Sequence, residues 1–167
     1  EYLAQKISAK LLHLEASQIS VLQNNGIKTI ADFMAQTESS FAGMKVMQFA
    51  FSEDKGKSLL PEYHPKNSVC YTGTHDNDTT NGWYDTLPSE QKSFFEDTVP
   101  KFNGMSPAHR LIKYSASSSS ELFIIPMQDI LSLDSTARFN TPSTERGNWK
   151  WRMTREQLQE FPSVLKE

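Results

Sequence analysis

Three short apolar segments alternate with helical segments along this chain, and that alternation constrains its fold more than any other feature. The apolar segments cover residues 45–51, 68–73 and 122–125. Each is too short for a typical helix and stops at a loop or a proline, so each predicts a buried strand. Helices are predicted over residues 88–99, 106–120 and 155–167. Strands that alternate with helices in this way indicate an α/β fold with a parallel sheet.

The first forty residues carry a helical pattern instead. Apolar residues recur there at three- and four-residue steps, as on one buried helix face: Leu3, Ile7, Leu11 and Leu14. Gly26 is suited to the positive φ angle of a helix end, and a second short helix is expected over residues 27–36. We therefore predict an N-terminal helical segment over residues 1–40 and an α/β unit over residues 41–167.

Charge and cysteine content argue against several classes of protein. The net charge is -3 and the pI is about 5.8, which gives no electrostatic reason to expect nucleic acid or an acidic membrane surface. No apolar run approaches the roughly 18 to 20 residues of a membrane span. Cys70 is the single cysteine, which excludes an internal disulfide and a cysteine-based zinc cluster. The chain begins with Glu1, so we expect a processed or truncated chain or part of a longer one.

Seven consecutive polar residues, 74–80, follow the second predicted strand directly. In parallel α/β sheets, chemistry gathers beyond the C-terminal ends of the strands, where this stretch is expected. His75, Asp76 and Asp78 could be metal ligands, but their spacing on a loop is not a standard one, and no metal is predicted. A turn with only a structural role is the alternative, because Asp and Asn readily hydrogen-bond their own backbone.

Aromatic residues stand beside polar ones in two places, as in a sugar-binding site. Trp83 follows the polar stretch, and Trp149 and Trp151 stand two apart before Arg152. Such rings cover the apolar faces of a sugar, although a single tryptophan is more often a core residue. Further along, Arg138 and Asn140 belong to an irregular polar segment. Arg138 would either form an ion pair there, with Asp129 as a candidate partner, or contact a substrate.

Four motifs in this order resemble the 4-alpha-glucanotransferases, also called amylomaltases or disproportionating enzymes, of glycoside hydrolase family 77. The motifs are GMKVMQFAF, YTGTHDNDTTNGWY, PMQDIL and ARFNTPSTERGNWKWR, and the resemblance spans about residues 41–153. It implies the C-terminal part of a (β/α)8 TIM barrel that acts on α-1,4-glucans without a cofactor. It also implies a cytoplasmic enzyme, or a plastid enzyme in a plant.

The resemblance also implies roles for individual residues. Asp76 corresponds to a carboxylate that grips sugar hydroxyls and stabilises the distorted ring of the transition state. The implied substrate-binding residues are His75, Asn77, Trp83, Arg138, Asn140 and Trp149. Asn77, together with Asp78, is expected mainly to hold the loop in shape.

Two motifs of the family are missing from these residues. They are the Arg-x-Asp-His-Phe-Arg stretch with the nucleophile and the Ala-Glu-Asp-Leu-Gly stretch with the acid/base glutamate. Residues 8–12 stand near the place of the second, and Glu15 is the nearest carboxylate. We therefore expect the isolated chain to be inactive, with a second chain as one source of the rest of the barrel. The alternative is a non-catalytic module that binds α-glucans or regulates an enzyme.

Overall fold

The computed structural model describes residues 43–52 and 56–164, with the side chains of residues 57 and 160–164 excepted. The predicted helical segment over residues 1–40, with the helix end at Gly26, lies outside the described residues. The same is true of Glu15.

A parallel sheet of three strands forms the centre of the described fold. The strands are Met44–Val46 (β1), Val69–Tyr71 (β2) and Leu122–Ile124 (β3), and β2 lies between the other two. In the register, Met44 is opposite Val69, and Val69 is opposite Leu122. The predicted parallel α/β arrangement is therefore confirmed.

The first predicted strand is shorter than expected. After Val46 the chain forms the 3-10 helix Met47–Phe51. Met47, Gln48, Ala50 and Phe51 are buried, whereas the side chain of Phe49 is 51% exposed. Burial at steps of three and four residues suits a helical turn and not the alternation of a strand, so the strand prediction for residues 47–51 was wrong.

Five α-helices lie in the described ranges. They are Thr80–Thr86 (α1), Ser89–Thr98 (α2), Pro107–Ser115 (α3), Met127–Ile130 (α4) and Arg155–Val164 (α5). Helices α2, α3 and α5 were predicted, although α3 ends at Ser115, before the serine run. Helices α1 and α4 were not predicted. None of the helices described is long and apolar enough to cross a membrane.

The helices cover one face of the sheet. Cys70 is fully buried in the main apolar cluster and Phe123 packs against it, and these two residues share a face because they are paired across β2 and β3. Met44, Leu122 and Ile124 alternate to the other face, where they are 51%, 57% and 45% exposed. Strands covered by helices on one side form a partial α/β barrel, as predicted.

Helices α2 and α3 are joined by a polar contact beside this cluster. Arg110 Nη1 donates to Glu96 Oε1 at 2.8 Å, and Tyr84 Oη donates to the same oxygen at 2.7 Å. The hydrogen bond from Arg110 lowers the pKa of Glu96 to about 2. Tyr84, which follows the polar stretch in sequence, is therefore tied into the helical layer.

A buried histidine links the segments before β2 and β3. His64 Nε2 lies 2.8 Å from the carbonyl oxygen of Leu59, and Nδ1 lies 2.7 Å from Ser118 Oγ. Since a carbonyl only accepts, Nε2 carries the hydrogen, and Nδ1 of the neutral ring is the acceptor that faces the hydroxyls of Ser118 and Ser120. Burial lowers the pKa of His64 below 6.5, because the charged imidazolium is poorly solvated there.

We expect this histidine to make stability depend on pH. Since the unfolded chain takes up the proton first, the free energy of unfolding should hold above pH 6.5 and decline as the pH falls below that value. Urea unfolding at pH 7.5 and pH 5.5 checks this, with His64→Gln as the comparison. Glutamine keeps one donor and one acceptor but does not titrate. An equally large acid decline in the variant would contradict this assignment.

Candidate functional site

A cleft of about 550 Å³ opens at the C-terminal ends of β2 and β3. Residues 73–79, here called the polar loop, line this cleft together with Gln128, Asp129, Arg138 and Phe139. The loop leaves β2 directly and leads into α1, which begins where the Thr79 side chain accepts a hydrogen bond from the Gly82 amide at 3.2 Å. The position beyond the strand ends is the one predicted for this stretch.

Asp76 lies near the middle of the polar loop with its side chain 50% exposed. Asn140 Nδ2 donates to Asp76 Oδ1 at 2.6 Å, and His75 Nε2 lies 3.4 Å from the same oxygen. The structure gives Oδ2 no hydrogen-bond partner among the described residues. An ionised carboxylate only accepts, so this oxygen is suited to a hydroxyl donor from a ligand.

Arg138 ties the polar loop to the segment that carries Asn140. Its Nη2 donates to the carbonyl oxygen of Asp76 at 2.8 Å, and its Nε donates to that of Asn140 at 2.9 Å. Its Nη1 lies 3.9 Å from Asp78 Oδ2. An ion pair with Asp129, considered from the sequence, is not formed, because the carboxylate of Asp129 is occupied by hydroxyl and amide donors.

Trp149 adds an exposed aromatic face next to His75. The two ring centroids are 5.4 Å apart, and Phe139 meets the indole edge-on at 5.0 Å. Trp149 is 51% exposed and has a φ angle of +62°, which is unfavourable for a bulky side chain. Together with Asn140 it lines a second cavity of about 510 Å³. The concave surface therefore extends beyond the first cleft.

The other two tryptophans are placed differently. Trp83 packs against the apolar core, with its ring 5.8 Å from that of Phe51 and 5.9 Å from that of Phe95. It does not line the cleft. Trp151 contributes its carbonyl oxygen, which accepts from Arg152 Nη1 at 2.7 Å. The structure thus brings Asp76, His75, Asn77, Arg138, Asn140 and Trp149 together and leaves Trp83 apart.

Two further aspartates line the cleft, and both are occupied by internal contacts. Asp78 Oδ1 accepts from the Thr79 amide at 2.8 Å, and Oδ2 accepts from Ser135 Oγ at 2.7 Å. Asp129 is 1% exposed, and burial raises the pKa of its carboxyl group. Among the carboxylates that line the cleft in the described ranges, Asp76 alone has an oxygen left for a ligand.

Gln48, which was not predicted as a site residue, holds the polar loop through two hydrogen bonds. Its Nε2 donates to the carbonyl oxygen of Asp78 at 2.9 Å, and its Oε1 accepts from Asn77 Nδ2 at 3.0 Å. Asn77 Oδ1 in turn accepts from the Thr74 amide at 3.0 Å, so both ends of the Asn77 amide group hold the loop. The signal in the sequence was a glutamine inside an otherwise apolar segment. The residues described include no group of three side chains that could hold a metal ion.

Comparison with known proteins gives consistent matches. A family model described as 4-alpha-glucanotransferase, glycoside hydrolase family 77, matches residues 27–158. The chain is 48% identical over 111 residues to a chloroplastic/amyloplastic 4-alpha-glucanotransferase of Solanum tuberosum, covering 66% of this chain and 19% of that protein. It is 39% identical over 144 residues to a 4-alpha-glucanotransferase of Synechocystis, covering 86% of this chain and 28% of that protein.

A solved structure shows the same relationship. It is an amylomaltase from Streptococcus agalactiae in complex with acarbose, similar to this chain with a TM-score of 0.70 and 29% identity. The alignment covers 92% of this chain and 29% of that one. The chain thus spans between about a fifth and under a third of the length of these proteins.

Proposed function

Because this chain belongs to the 4-alpha-glucanotransferases of glycoside hydrolase family 77, we propose that residues 43–164 supply one part of an α-1,4-glucan transfer site. This part binds the sugar ring at the reacting bond. The observation that carries the proposal is the free Oδ2 of Asp76, held at the C-terminal edge of the sheet beside an exposed indole. A carboxylate next to an aromatic face offers what a sugar needs, an acceptor for hydroxyl groups and a surface for C–H groups.

Retaining glucan transfer gives Asp76 a defined task. A nucleophilic carboxylate takes the donor sugar covalently while an acid protonates the leaving oxygen. The deprotonated acid then acts as a base and removes the proton from the 4-hydroxyl of a second glucan, which displaces the nucleophile. Positive charge develops on the sugar ring in the transition state of each step. Asp76 would accept hydrogen bonds from the ring hydroxyls, and its negative charge would favour that cationic state. His75 would contact the same sugar.

Asn140 and Arg138 would fix the direction of this carboxylate. Asn140 occupies Oδ1, which leaves Oδ2 for the substrate, and Arg138 holds the backbone of Asp76. Such fixed geometry matters because a preorganised group needs no rearrangement as charge develops. Both residues lie on the segment that also carries Trp149.

The nucleophile and the acid/base would come from residues that do not belong to this chain. Asp78 and Asp129 are the remaining carboxylates of the described cleft, and both are used by internal donors. The missing groups would lie on a second chain or on further sequence of the same protein. We infer action on maltooligosaccharides without a cofactor, in the cytoplasm or, in a plant, in the plastid.

Titration of the purified chain with maltoheptaose tests the sugar site. Asp76→Asn is expected to weaken binding about tenfold to a hundredfold, since a hydrogen bond to a charged group contributes roughly 1.5 to 3 kcal/mol. Asp97→Asn is the matched control, because Asp97 is exposed on α2 and does not line the cleft. Equal binding by the wild type and Asp76→Asn, or no binding by either, would refute the proposal.

Incubation with maltotriose tests turnover separately. The isolated chain is expected to produce no ladder of glucose and longer maltooligosaccharides on chromatography. A ladder that disappears in Asp76→Asn would mean that the chain itself, or two copies of it, holds all three carboxylates. That result would overturn the proposed division of the site.

A further inference from the structure

One buried carboxylate binds both ends of the polar loop. Thr72 directly precedes the loop, residues 73–79, and Thr80 directly follows it. Asp129 Oδ2 accepts from Thr72 Oγ1 at 2.6 Å and from Thr80 Oγ1 at 2.8 Å, and Oδ1 accepts from the Thr80 amide at 2.7 Å. Asp129 lies on α4, just after β3, so a single side chain of α4 contacts the residue that follows β2 and the first residue of α1.

This contact is buried, unlike an ordinary ion pair on the surface. Thr72 and Thr80 are 0% exposed and Asp129 is 1% exposed. No cation within the described residues pairs with this carboxylate. Burying a charge is costly even when it is hydrogen-bonded, and apolar residues in its place often give equal or greater stability. Stability alone is therefore a weak reason for an aspartate at this position.

The geometry gives a better reason. Asp76 stands four residues after Thr72 and four before Thr80, at the midpoint of the segment whose two ends Asp129 holds. Its other anchors, from Asn140 and Arg138, lie at the exposed surface. Gln48 fixes the loop from within, but it contacts residues 77 and 78, beyond Asp76. Without the contacts to Asp129, the two ends of the loop would no longer be held together, and the position of Asp76 would no longer be fixed.

We propose that Asp129 is a positioning residue, which clamps Thr72 and Thr80 together and thereby sets the position of the Asp76 carboxylate. The inference deepens the proposed function and rests on it for the role of Asp76. The clamp itself can be measured without any sugar. The clamp predicts that a substitution of Asp129 loosens the polar loop more than it affects the apolar core.

Hydrogen exchange followed by mass spectrometry tests the clamp. In Asp129→Ala, amides of residues 73–80 are expected to exchange at least tenfold faster, while those of α2 and α3 change little. Asp129→Asn keeps the shape and one acceptor, so it should fold even if the alanine variant does not and should speed loop exchange at least threefold. Val99→Ala is the control, because it removes methyl groups from a 1% exposed core position away from the loop. It should affect α2 and α3 and spare the loop.

A double-mutant cycle with maltoheptaose tests the link to Asp76. Asp129→Asn should weaken binding about tenfold in the wild-type background and less than twofold in the Asp76→Asn background, since the two residues would act as one unit. Equal effects in both backgrounds, or loop exchange in Asp129→Asn that matches the wild type, would overturn the inference. If the wild type binds no maltoheptaose while loop exchange still rises in the variant, the proposed glucan site fails and the clamp on the loop stands.

Discussion

Phe95→Ala is expected to lower the free energy of unfolding by about 3 to 5 kcal/mol, the usual cost of removing a buried phenyl ring. Phe95 is 0% exposed and stands at the centre of an aromatic cluster. Its ring lies 5.1 Å from that of Phe51 and 5.0 Å from that of Tyr84, and the guanidinium of Arg110 lies 5.2 Å above it. A cavity at this point would remove contacts from both α1 and α2.

Urea unfolding followed by circular dichroism measures this effect, and the chain offers a matched control. Phe49→Ala makes the same chemical change at a side chain that is 51% exposed, so its expected cost is within about 0.5 kcal/mol. The loss expected for Phe95→Ala is large for a small fold, since the total free energy of unfolding is usually about 5 to 15 kcal/mol. Similar losses in the two variants would mean that the cluster is not the core of the fold.

Some elements of this fold could be predicted from the sequence and others could not. Strands β2 and β3 were predictable because each is a short apolar segment closed by a loop or a proline. Helix α1 was not, because it contains Gly82 and begins at β-branched Thr80, both weak helix formers. It forms through tertiary contacts, since Asp129 binds the Thr80 amide. A side chain at Gly82 would overlap Ser135 Oγ and lie 2.9 Å from the Ser135 nitrogen.

Trp83 illustrates the consequence for the site. With α1 missed, nothing in the sequence decided which way this tryptophan faces, and its neighbours suggested a sugar contact. The helix turns it toward Phe51 and Phe95. The loop residues were easier, because His75 and Asp76 follow a predicted strand end. Their supports, Gln48 and Asp129, are distant in sequence from the loop residues they hold, and no local pattern encodes such pairings.

Trp149 gives the second large effect, in which stability and binding are expected to separate. Its φ angle of +62° costs a non-glycine residue roughly 1 to 2 kcal/mol, and backbone strain of this kind is often found at functional sites. Its amide donates to the carbonyl oxygen of Phe139 at 2.8 Å, which helps to hold this conformation. If the indole covers a sugar face, as we propose, its loss should weaken maltoheptaose binding about thirtyfold, the effect of about 2 kcal/mol at a typical tryptophan hot spot.

Trp149→Gly and Trp149→Ala both remove the indole, but only glycine accepts the left-handed backbone without strain. Both variants should therefore lose affinity equally, whereas Trp149→Gly should exceed Trp149→Ala in free energy of unfolding by about 1 kcal/mol. Calorimetric titration measures affinity, and urea unfolding measures stability. Trp151 lines neither cavity, so Trp151→Ala should change affinity less than twofold. If Trp149→Gly binds maltoheptaose as tightly as the wild type, the indole ring is not part of the sugar site. If the two variants have equal free energies of unfolding, the backbone does not hold this conformation. The expected pattern would instead show backbone strain maintained at a surface position where the exposed ring serves binding.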